Sequence, residues 1–261
     1  MNETCRDIRR NILQVSFQSG HGHIPTCFSV VELLYAIYDT MRHDPENPGW
    51  EGRDVFILSK GHAALAHYCV LARFGYFDTG KIRTFGSFGS DFGCHADRSK
   101  IPGVEASTGS LGHGIGIAIG AALGARIKKS DRRVFTLIGD GESNEGSVWE
   151  AIMIAVNLGL SNLTVIYDNN RSQSRGLQIQ NPVGIFTAFG CDAAEVDGHD
   201  IEAIREVIGK RSDRVRVVVA NTNKGHGCRL LVENHHEWHR KSPTSDQLQH
   251  MLEELDAQAV Q

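Results

Sequence analysis

The six cysteines of this 261-residue chain, at positions 5, 27, 69, 94, 191 and 228, include no C-x-x-C pair. That scatter argues against a zinc ribbon or a disulfide framework and points to a reduced, cytoplasmic setting. Basic excess is also missing: the net charge of −4 leaves no electrostatic footprint for nucleic acid or an acidic membrane surface. The most apolar helical stretch, IGIAIGAALGA at 115–125, is far too short to span a bilayer. The first residues, MNETCRDIRRNILQ, mix both charge signs and lack the apolar centre of a signal peptide. Proline is scarce, at 6 residues, and no repeat, low-complexity tract or linker breaks the pattern.

Hydrophobic residues make up 41% of the chain, enough to bury one substantial core, so 1–261 reads as a single domain. Five short runs rich in β-branched residues predict strands at 54–58, 134–138, 163–167, 193–196 and 215–220. Helical patterns surround them at 4–18, 29–41, 62–74, 112–128, 145–158, 200–211 and 245–256. The last has a start signal, with Thr244 as N-cap and Gln247 three residues on. This alternation predicts an α/β fold, a parallel sheet flanked by helices on both faces. Two stretches rich in Gly, Ser and Asp, 75–113 and 169–184, read as long loops of the kind that carry function.

Two strand ends stand out. TLIGDGESNEGSVWEA (136–151) brings Asp140 to a sheet edge, and LTVIYDNNRSQSRG (163–176) brings Asn170 to the same edge one crossover later. Ligands of parallel sheets bind at that edge. Gly139 and Gly141 allow a tight turn and close approach, and a helix starting near Asn144 aims free N–H groups at the same place. A carboxylate, an amide oxygen and backbone donors suit a magnesium ion held against a diphosphate. Either half alone reads more readily as a helix cap or a turn. Together, at this spacing, they favour a site.

The GDG…NN pair resembles the thiamine diphosphate fingerprint, and its surroundings resemble the N-terminal part of transketolase. The segments that carry the likeness are SGHGHIPTCFSVVELL (19–34), LSKGHAALAHY (58–68), FGCHADRSKIPGVEASTGSLGHGIG (92–116), IGDGESNEGSVWEA (138–151) and YDNN (167–170). The resemblance implies that Asp140, the side-chain oxygen of Asn170 and the carbonyl of Ser172 ligate magnesium. It also implies that the Gly141 N–H touches the diphosphate, with Gly112, Gly139 and Glu142 in the cofactor site, and that Leu111 supports the aminopyrimidine. Glu145 matches a glutamate at the subunit interface near the cofactor.

Thirteen histidines are present, several in glycine-flanked loops. The resemblance places three of them, His23, His62 and His95, in the channel to the thiazolium, and His239 on the diphosphate. His21 competes with His23 for the first position. Imidazole suits such contacts because it both donates and accepts near neutral pH. His43, His67 and His250 carry no motif. The spacings His21-x-His23 and His235-x-x-x-His239 also allow a zinc reading, which the carboxylate–amide pair makes unnecessary. GHGIGIAIG (112–120) imitates a dinucleotide fingerprint, but a polar loop precedes it instead of a strand, and it reads as the start of a closely packed helix.

The implied activity is transfer of a two-carbon ketol unit from a ketose or its phosphate to an aldose. Family members need a pyrimidine-binding domain, which lies outside this sequence. The chain therefore reads as the N-terminal subunit of a split transketolase, or a fragment of a whole one, working with a C-terminal subunit in two copies of each. A 2-oxo acid dehydrogenase α subunit or a deoxyxylulose-phosphate synthase-like enzyme is the nearest alternative, and the three loop histidines favour transketolase. A non-catalytic, cofactor-holding subunit is the alternative from another class. Arg175 departs from the family, which has aspartate before the glycine here. It fits either an anionic substrate group or a solvated loop.

Overall fold

The computed structural model describes residues 1–258. Five parallel strands, β1 (Val55–Leu58), β2 (Val134–Gly139), β3 (Leu163–Asn169), β4 (Asp192–Asp197) and β5 (Arg216–Asn221), form one sheet in the order β1-β2-β3-β5-β4. Alternate strand residues enter two separate cores. Phe56, Leu58, Phe135, Leu137, Ile166 and Val218 meet one, while Val55, Ile57, Ile138, Val165, Val217 and Val219 meet the other. Burial on both faces is what a parallel sheet with helices on both sides requires.

The first core is closed by α1 (Glu3–Ser19), α2 (Ile24–Ser29), α3 (Val31–Thr40) and α4 (Ala64–Arg73). On the other face lie α5 (Gly114–Ile127), α6 (Gly146–Asn157) and α7 (Pro182–Ala188). The chain returns to the first face with α8 (Ile201–Gly209), α9 (Arg229–Glu233) and α10 (Ser245–Ala257).

All five expected strands are present, with ends within about two residues, the usual uncertainty of such boundaries. The expected helix at 29–41 is α3, and a short helix not expected, α2, precedes it: Pro25 favours its first turn and Val30 separates the two. Helix α7 begins inside the expected loop 169–184, with Asn181 as N-cap accepting from the Gly184 N–H at 2.8 Å. Thr244 and Gln247 make both bonds of a capping box at α10. Packing at α5 is looser than its sequence suggests. Gly114 abuts Ser59, but Gly116, Gly120 and Gly124 face open space.

Candidate functional site

Strands β1, β2, β3 and β5 end at one sheet edge, and the segments after them converge there. Asp168, the last buried carboxylate of β3, is fully enclosed. Its Oδ2 accepts from Lys60 Nζ, from Ser29 Oγ at 3.0 Å and from Asn170 Nδ2 at 2.7 Å, while Oδ1 accepts from Thr222 Oγ1. Because the Asn170 amide group donates to Asp168, its Oδ1 is left as an acceptor, and it takes the Ser172 N–H at 3.0 Å.

Asp140 follows β2 and is only 5% exposed. Its oxygens accept the N–H groups of Gly141 at 2.7 Å and Gln173 at 3.2 Å. The Gly141 N–H expected to meet a diphosphate thus donates to Asp140. Burial first, and then the neighbouring Asp168 charge, raise the Asp140 pKa above the usual carboxylate range. Among the described residues no cationic side chain forms an ion pair with Asp140. Neither glycine of the Gly-Asp-Gly corner has positive φ. What Gly141 supplies is space, since a Cβ there would lie 2.7 Å from the Gln173 amide nitrogen.

A cavity of about 280 Å³ opens at this corner. His23, His62, His95 and His239 line it together with Leu111, Gly139, Asp140, Gly141, Glu142, Asn170 and Ser172. The rings of His23, His62 and His239 form a triangle with centroids 5.2–6.1 Å apart. Burial, reinforced by neighbouring cations, holds His23 and His239 down at about 4 and His62 at about 2, so all three are neutral near pH 7. Glu142 is buried and fully bonded. Its carboxylate accepts Ser59 Oγ at 2.5 Å and the N–H groups of Gly112 at 2.9 Å and Gly139 at 3.1 Å. It therefore binds the Leu111–Gly112 wall to the end of β2. Gly112 lies behind the cavity wall, at φ +78°, where a Cβ would come within 2.3 Å of Ser147 Oγ.

Several expectations change here. The helix expected near Asn144 starts at Gly146, after a 3-10 turn over Glu142–Asn144, and its exposed N-cap Glu145 does not line the cavity. Of the competing histidines, His23 is in the cavity, whereas His21 is exposed and packs at Gly86. Arg175 is exposed and outside the cavity. His235 lies against His236, with ring centroids 4.1 Å apart, and the histidines of the zinc reading do not gather into a three-ligand cluster among the described residues.

Lys60, Gln173 and Arg240 also line the cavity, and sequence reasoning missed them. Lys224 was missed too. It is 5% exposed, and its Nζ donates to Ser172 Oγ at 2.7 Å and lies 3.5 Å from His239 Nδ1. Burial and the charge of Lys60 lower its pKa to about 8. A lysine next to glycine, as in SKGH and NKGH, has no periodicity or metal spacing to mark it.

An open parallel sheet with acidic, amide and cationic groups gathered at its carboxyl edge defines an α/β enzyme domain. Residues 2–259 match the family model described as transketolase, thiamine diphosphate binding domain. An apulose-4-phosphate transketolase subunit from Actinobacillus succinogenes is 36% identical over 98% of this chain and 95% of its own length. A 6-deoxy-6-sulfo-D-fructose transketolase subunit from a Clostridium species is 36% identical over 85% of this chain and 84% of its own. Transketolase from Campylobacter jejuni superposes with a TM-score of 0.89 at 26% identity, covering 98% of this chain and 43% of that one. The chain belongs to the transketolase family and has its thiamine diphosphate-binding fold.

Proposed function

We propose that this chain is the diphosphate- and magnesium-binding subunit of a split transketolase, moving a two-carbon ketol unit from a ketose or ketose phosphate to an aldose. The observation that carries the reading is an unpaired buried carboxylate in the cavity and an unpaired buried ammonium beside it, behind Ser172 and His239. Asp140 is buried with no cationic partner, and Lys224 is buried with no carboxylate partner among the described residues. A divalent cation on the first and an anionic diphosphate on the second would balance both.

In this reading Asp140, Asn170 Oδ1 and the Ser172 carbonyl hold magnesium. Lys224, Gln173, His62 and His239 face the diphosphate, and Leu111 supports the aminopyrimidine. Thiamine diphosphate supplies the electron sink needed to cleave the bond beside a ketose carbonyl. The chain's own residues bind and orient. Neutral His23 and His62 can donate to or accept from sugar hydroxyls without bringing in charge, and the His95 imidazole lines the same cavity. Lys60 is held by Asp168 and supplies fixed positive potential at the cavity wall.

A separate C-terminal subunit would provide the pyrimidine-binding domain, in an assembly with two copies of each chain. The relatives named as subunits support this. So does an exposed apolar surface on the adjacent helices α5 and α6, at Ile117, Ile127, Met153 and Ile154. Glu145, exposed at the start of α6, belongs with that interface. A cytoplasmic location suits the six free cysteines, and no helix among the described residues is long and apolar enough to cross a membrane. Calorimetric titration with thiamine diphosphate, with and without magnesium, tests the reading. Binding that is indifferent to magnesium contradicts it.

A further inference from the structure

Away from the cavity, a buried polar network joins α1 and α3 to the loop after β5. Arg9 on α1 is fully enclosed, and its Nη1 and Nη2 donate to Glu32 Oε1 and Oε2 at 2.5 and 2.7 Å. Nη2 also reaches the Phe28 carbonyl at 2.8 Å, fixing the end of α2, the helix that His23 precedes. Glu32 Oε2 lies 3.1 Å from His199 Nδ1. On the other side of the ring, the Asn223 N–H donates to His199 Nε2 at 2.9 Å. A backbone N–H can only donate, so Nε2 is the acceptor and the imidazole proton sits on Nδ1, facing Glu32.

His226 stacks on His199 with centroids 3.6 Å apart, and the Gly225 N–H donates to the Pro25 carbonyl at 2.9 Å. The loop is therefore held at Asn223, Gly225 and His226, on both sides of Lys224. Glu32, His199 and His226 bring their ligand atoms within 4.8 Å of one another. A cation there would face the Arg9 guanidinium and find both nitrogens of His199 already bonded. The cluster is an anchor, not a metal site.

We infer that His199 is a positioning residue: it carries the Arg9–Glu32 pair to the Asn223 backbone and so holds Lys224 against Ser172 and His239 at the cofactor cavity. The part of this inference that concerns the cofactor rests on the proposed function. The anchoring of the loop does not.

The test uses His199→Phe, which keeps the stack on His226 and removes both hydrogen bonds, and His199→Gln, which can restore one donor and one acceptor. Amide hydrogen exchange is read at residues 222–228, and the apparent cofactor constant and kcat are read in the complex of this chain with its partner. His199→Phe should speed exchange at 222–228 and raise the cofactor constant, each about tenfold, as for losing one or two hydrogen bonds. Its kcat at saturating cofactor should stay unchanged, and His199→Gln should recover most of both losses. Should His199→Phe not fold, His199→Asn, which can donate to Glu32 but falls short of Asn223, gives the same readouts. Wild-type exchange rates at 222–228 in a folded variant overturn the inference. Faster exchange with an unchanged cofactor constant supports the anchor and contradicts the cofactor reading instead.

Discussion

Asp168 Oδ2 accepts the Asn170 side-chain amide at 2.7 Å, and this contact turns the Asn170 oxygen away from Asp168. The same carboxylate pairs with buried Lys60. Asp168→Ala would leave that lysine enclosed without a partner and free the Asn170 amide to rotate. Loss of about 3–5 kcal/mol in chemical denaturation is expected, as for breaking a buried pair. Retention of full stability would show that Lys60 finds another partner.

Asp140→Asn and Asn170→Ala should each weaken cofactor binding roughly 10- to 150-fold, the effect of losing one charge-assisted contact. The loss should depend on magnesium. Calorimetric titration of the assembled enzyme decides, and unchanged affinity in both variants removes the metal assignment.

The cavity histidines should separate by role. His239→Ala, beside Lys224, should raise the apparent cofactor constant, while His95→Ala should mainly lower kcat or raise the donor KM. His23→Ala should impair activity, and His21→Ala should be silent because that side chain lies outside the cavity. The reverse outcome would shift the first channel position by two residues.

His67 offers a stability test at a histidine that does not line the cavity. It is buried, its Nε2 lies 2.7 Å from the Tyr38 hydroxyl, and burial lowers its pKa to about 3. An unfolded chain restores a pKa of about 6.5. The unfolded state then binds more protons between those values, so this group's contribution is full above about pH 6.5 and is lost as pH falls towards 3. Relative to His67→Gln, the wild type should lose about 1.4 kcal/mol per pH unit between roughly pH 6 and 4. Parallel stability curves for the two proteins would contradict this.

Much of the fold was legible because burial on both sheet faces produces continuous apolar runs rich in β-branched residues, as in VFIL and RVVVAN. Helix α7 was hidden because its seven residues are too few for a period and follow a polar loop. At the site, the motif residues were legible and their supports were not. Asp168 precedes the asparagine pair directly, yet only the folded chain brings it Lys60 from 108 residues away and Thr222 from 54 away. The resemblance placed Glu142 in the cofactor site, and it does line the cavity, but its role as a clamp between Gly112 and Gly139 had no mark in the sequence. Gly-Asp-Gly suggests a turn needing glycine's freedom, whereas both glycines have ordinary φ and Gly141 matters for the room it leaves beside Gln173.

A chain that supplies half of a catalytic site should turn over only when the other half is present. Ketol transfer by the purified chain is therefore measured alone and after adding the pyrimidine-domain subunit, with thiamine diphosphate and magnesium present in both. No turnover is expected from the chain alone, and activity should appear with the partner, in an assembly of two copies of each. Full activity from the single chain, with the partner excluded by mass spectrometry, would contradict it.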